Sequence, residues 1–270
     1  MGTLWDFILN QIIVWIETHL SLVPSPHKRA LIVGSNYFGE NALRGCLNDC
    51  ANIHDLLVGV FGFNDANILK LDDANMLPNK TNITREFAKM LSLANDGDIL
   101  FFHYSGHGSQ VPTGDARETD GMNEVIMTNE GDHLDIITDD EIKQMIADNL
   151  KSNATLFALF DSCHSGTAMD LKWEYDETKR DFVENANDVQ IKMPGNVVML
   201  ASCKESELSA DFYIDFENQG ILSYAFIKCV RQNPSRSIAD LLKAIRANMS
   251  DQTPQLLCNS KVDVNKSFLS

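Results

Sequence analysis

The sequence predicts an α/β protein, a mostly parallel β-sheet with helices on both faces. Three observations carry this expectation. Short apolar runs recur at Arg29–Gly34, Asp98–Tyr104 and Ala154–Phe160, and such runs mark strands buried on both faces. Segments of helical spacing lie between them, and strand–helix alternation at this interval builds parallel sheets through crossover helices. The composition also allows a sizeable core: of 270 residues, 44% are hydrophobic and 22% charged, which argues against disorder.

Taken in order, the elements begin with a segment from Thr3 to about Val23. Its apolar residues are dense (Leu4, Trp5, Ile8, Ile12, Trp15, Ile16, Leu20), while Asp6, Asn10 and Glu17 fall on one narrow face. This is the pattern of an amphipathic helix with a wide apolar stripe. It is too short and too interrupted by charge to span a bilayer. Its polar face carries acids, whereas interfacial membrane helices carry Lys or Arg, so docking on its own domain or on a partner is expected. Val23-Pro24-Ser25-Pro26 then breaks the helix. Residues 1–27 are thus expected to be a helix and linker, and residues 28–270 one folded domain.

Within that domain Arg29–Gly34 reads as the first strand, and Ala42–Val60 as a helix through Leu43, Leu47, Ile53 and Leu57. Asn67–Leu71 follows as a strand, and Thr81–Ala94 as an amphipathic helix begun by a Thr cap. Asp98–Tyr104 is the next strand, Thr138–Asn149 a helix, and Ala154–Phe160 and Val197–Ala201 two further strands. Helices are expected over Gln219–Arg231 and Ser237–Met249, with a late strand at Gln255–Cys258. The polar stretch Asp170–Gly195 reads as an exposed loop.

Charge and cysteines narrow the function. A net charge of −16 argues against a nucleic-acid groove, which needs clustered Lys and Arg, and leaves cationic substrates, metal cations and basic peptides. The six cysteines are dispersed without a CxxC pair, which excludes a zinc ribbon or dithiol motif and points to a reducing compartment, the cytoplasm or the nucleus. No Lys or Arg precedes Lys28, so the basic region of a signal peptide is not expected.

In such a sheet, reactive groups collect beyond the carboxyl ends of the strands. One strand breaks into Ser105-Gly106-His107-Gly108, another into Asp161-Ser162-Cys163-His164-Ser165-Gly166. If these strands are neighbours, an imidazole and a thiol face one crevice, as nucleophilic cysteine catalysis requires. Singly, a strand-end His is usually a structural group and a Cys a small buried hydrophobe. Two Gly-flanked strand-end loops carrying the pair are hard to explain by packing.

The boxes His103-Tyr104-Ser105-Gly106-His107-Gly108 and Asp161-Ser162-Cys163-His164-Ser165-Gly166 resemble the two catalytic boxes of the metacaspases, among the caspase-like (clan CD) cysteine peptidases. The resemblance runs from about Lys28 to the C-terminus. It includes Leu43–Asp49, Thr119–Glu124, Thr138–Glu141 and Gln252–Gln255. No long insertion follows the Cys box, as in the type I arrangement, although the frequent Pro/Gln-rich prodomain is replaced by the short apolar helix. The resemblance implies a caspase-like fold and a cysteine endopeptidase.

Carried over by motif, Cys163 would be the nucleophile and His107 its base and later acid, with no third orienting residue. The backbone N–H groups of Gly108 and Cys163 would form the oxyanion hole. His164 is a rival base by proximity, but adjacent side chains diverge. Asp49 and Asp161 match positions lining an acidic S1 pocket, with Ser105 and Cys46 beside them, so a P1 Arg or Lys is expected. On their own, Asp161 has a lesser reading as a helix cap and Asp49 one as a solvated helical acid. Asp120, Asp139, Asp140 and Asp170 match positions at which metacaspases bind calcium, and Ca²⁺ suits hard carboxylate oxygens. The stretch Asp115–Glu141 holds ten acids and a single base, Arg117, although Thr138-Asp139-Asp140-Glu141 is also a capping box.

Three further expectations follow: self-processing after Lys172, Lys179 or Arg180 in the Asp170–Gly195 loop, restraint of the crevice by the Thr3–Val23 segment, and a monomer, as metacaspases are. The competing readings are a catalytically silent caspase-like scaffold and a clan CD peptidase of another P1 specificity.

Overall fold

The computed structural model describes residues 27–113, 121–151, 153–163, 169, 171–185, 192–202, 211–214, 217–249 and 252–269. The Thr3–Val23 segment therefore lies outside the described residues.

Five strands form the parallel part of one sheet: β1 (Lys28–Gly34), β2 (Ile68–Asp72), β3 (Ile99–Ser105), β7 (Thr155–Asp161) and β10 (Asn196–Ala201). With β8 (Trp173–Asp176), β9 (Asp181–Glu184) and β13 (Gln255–Cys258) they make an eight-stranded sheet in the order β2-β1-β3-β7-β10-β13-β8-β9, whose last three strands pair antiparallel. A three-stranded antiparallel sheet, β4 (Gly108–Pro112), β5 (Met122–Asn129) and β6 (Leu134–Thr138), follows β3 directly. A short ribbon pairs β11 (Asp211–Ile214) with β12 (Glu217–Gly220).

Side chains alternate across the main sheet, as a strand requires. Ala30, Ile32, Phe101, Phe157, Leu159, Val198 and Leu200 face one core. There they meet α1 (Cys46–Gly59), α4 (Ile221–Gln232) and α5 (Ile238–Arg246) through Ile53, Leu57, Leu222, Phe226, Leu242 and Ile245. Leu31, Val33, Leu100, Phe102, Tyr104, Leu156, Phe160 and Met199 face the other, against α2 (Lys80–Ser92) and α3 (Asp139–Asn149). Both faces are dry, which is why the strands read as continuous apolar runs. No helix among the described residues is long and apolar enough to cross a membrane.

The α/β expectation holds, with three corrections. α2 is capped by Asn79, whose side chain accepts from the Asn82 N–H at 2.8 Å, and not by a Thr. Residues 171–185 are not a loop: β8 and β9 form a hairpin on the sheet edge, with Tyr175 and Phe182 buried and in ring contact. The helix expected from Gln219 begins at Ile221, because Gln219 and Gly220 complete β12.

Candidate active site

The parallel register sets the site. Ser105 ends β3 opposite Asp161, which ends β7. Beyond this pair the Gly106 N–H donates to the Asp161 carbonyl at 3.3 Å. His107 and Cys163 each lie two residues further on, so the two turns leave adjacent strands side by side. At Gly108 a Cβ would collide with the Cys163 carbonyl and lie 3.2 Å from Ser162 Oγ. Only glycine allows the two turns to abut in this way. The Ser202 hydroxyl, at the end of β10, donates to the Ser162 carbonyl at 2.8 Å and anchors the cysteine turn.

His107 is half-buried and held from several sides. Its ring stacks on Tyr37 with centroids 4.8 Å apart. Its Nε2 lies 2.8 Å from the Asn41 carbonyl. A carbonyl only accepts, so Nε2 carries the hydrogen and Nδ1 is the basic nitrogen of the neutral ring. The backbone of His107 is fixed too: its N–H donates to Tyr37 Oη at 3.1 Å, and its carbonyl accepts from Tyr104 Oη at 2.7 Å and from the Met127 N–H at 2.9 Å. The two phenols lie 3.0 Å apart and share the Met127 carbonyl. Burial pushes both tyrosine pKa values up, so they remain neutral donors. An orienting group for His107 thus exists, the Asn41 carbonyl, where the motif comparison led us to expect none.

Asp49 and Asp161 converge on the N-terminus of α4. Asp49, fully buried on the first turn of α1, accepts from Ser105 Oγ at 2.7 Å and from the Gly220 N–H at 3.0 Å. Asp161 accepts from the Ser223 N–H at 2.8 Å. A Cβ at Gly220 would collide with Asp161 Oδ2 and lie 2.8 Å from Asp49 Oδ2. Gly220 offers α4 no side-chain cap; the two carboxylates meet its N–H groups instead, where the helix dipole favours negative charge. Asp161 therefore does cap a helix, but one distant in sequence, and Asp49 is not a solvated acid. Ser105 joins them directly. Cys46 is buried three residues before Asp49 on the same helix.

Below Asp161 lies His103, fully buried, with Nε2 3.1 Å from Ser223 Oγ. Burial pulls its pKa down to about 3, so it is neutral. Among the other described cysteines, burial raises the Cys50 and Cys229 thiols and pushes Cys258 up to about 12, whereas Cys163 is only half-buried. His164 lies outside the described residues.

Of the acids matched to calcium, Asp120 and Asp170 lie outside the described residues. Asp139 and Asp140 open α3, behind a capping box in which Thr138 Oγ1 accepts from the Glu141 N–H at 3.1 Å and Glu141 Oε2 from the Thr138 N–H at 2.9 Å. Asp139 is buried, and neither of its carboxylate oxygens accepts a hydrogen bond. Lys143 Nζ lies 3.0 Å from Asp139 Oδ2 and 3.1 Å from Asp140 Oδ1. Among the described residues no three His, Cys, Asp or Glu side chains gather as a metal site.

A family model described as metacaspase, peptidase C14 domain, matches residues 28–172. Metacaspase-1 of Candida glabrata is 33% identical, with 90% of this chain and 75% of that protein covered. Metacaspase-1B of Aspergillus clavatus is 35% identical over 90% of this chain and 72% of its own length. Among solved structures, a protein of Geobacter sulfurreducens superposes with a TM-score of 0.68 at 20% identity, covering 90% of this chain and 97% of that one. Caspase-1 of Spodoptera frugiperda superposes with a TM-score of 0.52 at 11% identity, covering 87% and 85%. These likenesses make the fold caspase-like.

Proposed function

Because the chain belongs to the metacaspases, and so to a family of cysteine peptidases, we propose that it is an endopeptidase cleaving after Arg or Lys, with Cys163 as nucleophile and His107 as its base. One observation carries this reading. Two buried carboxylates, Asp49 and Asp161, converge beneath the two strand ends whose following turns bear His107 and Cys163.

The chemistry follows from the geometry. With Nε2 donating to Asn41, His107 presents Nδ1 to take the proton from Cys163 Sγ. The thiolate attacks the scissile carbonyl, and its oxygen, gaining charge, is met by the N–H groups of Gly108 and Cys163. As the tetrahedral intermediate collapses, His107 returns the proton to the leaving amine, and water then hydrolyses the thioester to release acid and free thiol. A P1 guanidinium or ammonium would pair with Asp49 and Asp161, whose charge the α4 N-terminus partly offsets; Arg would bond bidentately. Neutral His103 supports that arrangement through Ser223 without adding positive charge.

Calcium is the proposed activator. Asp139 and Asp140 supply hard oxygen donors, and the Asp139 oxygens, which meet the Lys143 ammonium but accept no hydrogen bond, already face a cation. Bound with Asp120 and Asp170, calcium would supply fixed positive charge that holds these acids together. Self-processing is proposed at Lys179 or Arg180, which lie in the exposed β8–β9 turn, with Lys172 just before β8. A monomer fits these readings, since β8 and β9 cover β13 and keep it from being a sheet edge; a cytoplasmic or nuclear location is proposed from the dispersed cysteines alone.

The test is hydrolysis of fluorogenic peptides ending in Arg, Lys, Asp or Asn, with calcium and with chelator. Turnover of the Arg and Lys peptides only, dependent on calcium, is expected. Turnover of the Asp or Asn peptides overturns the pocket, and equal rates in chelator overturn calcium activation.

A further inference from the structure

The acids at the start of α3 face a cation that the chain itself supplies. Lys143 stands one turn along the helix, four residues from Asp139 and three from Asp140, and its side chain is fully buried. Its Nζ lies 3.0 Å from Asp139 Oδ2 and 3.1 Å from Asp140 Oδ1. A buried ammonium is costly unless compensated, and a cation near a helix N-terminus opposes the dipole. Carboxylates on both sides account for this placement. For Asp139 the dependence is reciprocal, because its buried oxygens accept no hydrogen bond and the ion pair is what offsets their burial.

A protonated lysine has three donors and no lone pair, so it cannot join the oxygen shell of a metal. Calcium binds carboxylate oxygens at about 2.3–2.6 Å, which would set it on the same oxygen atoms Lys143 now engages, beside a like charge. We propose that Lys143 is the resident counter-ion of this site and that calcium binds Asp139 and Asp140 only by displacing its ammonium. Lys143 then sets the calcium concentration at which the site loads. This inference rests on the calcium reading above.

The test uses the full chain, stripped with chelator and then dialysed. Calcium is titrated by calorimetry into wild type, Lys143→Met and Lys143→Arg, with magnesium in parallel. Removing one like charge at this distance is expected to tighten the calcium Kd of Lys143→Met on the order of tenfold, while Lys143→Arg stays near wild type. Lys143→Met should also melt below wild type in chelator and gain more from added calcium. A second measurement needs no variant: amine-reactive footprinting of the wild type, where Lys143 is protected in chelator and labelled at saturating calcium. Calcium binding with an unchanged Lys143→Met affinity, or continued protection of Lys143, overturns the displacement alone. Binding by neither wild type nor Lys143→Met overturns the calcium reading itself.

Discussion

Replacing Tyr37 by Phe isolates one hydroxyl that holds His107, the proposed catalytic base. The phenol ring, stacked on His107 at 4.8 Å, would remain. What is lost is the oxygen that accepts the His107 N–H at 3.1 Å and lies 2.8 Å from the Met127 carbonyl and 3.0 Å from Tyr104 Oη. The single Tyr104 O–H can turn to the Met127 carbonyl at 2.8 Å, because the His107 carbonyl keeps the Met127 N–H at 2.9 Å, so one group, the His107 N–H, is left without its acceptor. Leaving a buried donor unsatisfied costs about 1–3 kcal/mol. For a domain of this size that lowers Tm by about 2–4 °C per kcal/mol. If roughly half of that energy had been holding His107 in register, kcat for an Arg peptide falls about fivefold. KM should stay within about twofold, because the hydroxyl contacts neither Asp49 nor Asp161. Tyr37→Leu, which also removes the stack, should lose about another 0.5–1.5 kcal/mol. Steady-state kinetics and thermal denaturation of the three proteins decide the matter. A lowered Tm with unchanged kcat, or a raised KM with kcat retained, refutes the positioning role of Tyr37.

Other substitutions probe the remaining parts of the site. Gly108→Ala drives a methyl group into the Cys163 carbonyl, displacing a proposed oxyanion donor, so kcat should fall by about 10²–10³; a loss below about tenfold contradicts the abutting turns. Asp161→Asn removes a charge from the proposed P1 pocket, and the kcat/KM for Arg peptides should drop roughly 10–100-fold while a P1 alanine peptide is little affected. An equal loss on both peptides would assign Asp161 to folding alone. His103 governs a pH dependence of stability. Its folded pKa, about 3, lies below its ordinary 6.5, so between these values the unfolded chain holds a proton that the folded chain does not. Stability therefore rises with pH through this window and is unaffected by His103 above it, with a slope of up to about 1.4 kcal/mol per pH unit. Urea midpoints between pH 7 and pH 5 should fall less steeply in His103→Gln, and parallel slopes would contradict the assignment.

Much of this architecture is legible in the sequence because both faces of the parallel strands are dry. Leu31-Ile32-Val33 and Leu156–Phe160 can be read as strands without any partner in view. The β8–β9 hairpin is hidden by composition. Each of its strands buries one aromatic residue, Tyr175 or Phe182, among polar neighbours, and a short period-two pattern carries little signal in an acidic stretch. β4 is obscured too: Gly108–Val111 are half-buried, Pro112 is exposed, and no side chain of the strand enters the core. At the site, the side chains proposed to do chemistry are legible, whereas the groups that position them are not. The Asn41 carbonyl leaves no trace in residue identity. The role of Gly220 and Ser223 depends on where α4 begins, two residues later than helical spacing alone implies. Tyr37 could have been noticed as a lone aromatic between strand and helix, but its hydroxyl finds His107 only through the fold. Lys143 at i+4 from Asp139 was readable as a helical ion pair; its complete burial was not.

The central claim, a single activated thiol facing a pocket for a cationic side chain, is tested most directly by covalent labelling. The full chain is treated in calcium with a peptidyl acyloxymethyl ketone bearing P1 Arg, and the adduct is located by peptide mapping. Buried Cys50, Cys229 and Cys258 are disfavoured as thiolates. One adduct on Cys163 is predicted, absent in Cys163→Ala, strongly reduced in His107→Ala, and not formed by the P1 Asp analogue. Labelling of a different cysteine, or equal labelling by the Asp analogue, would contradict the account.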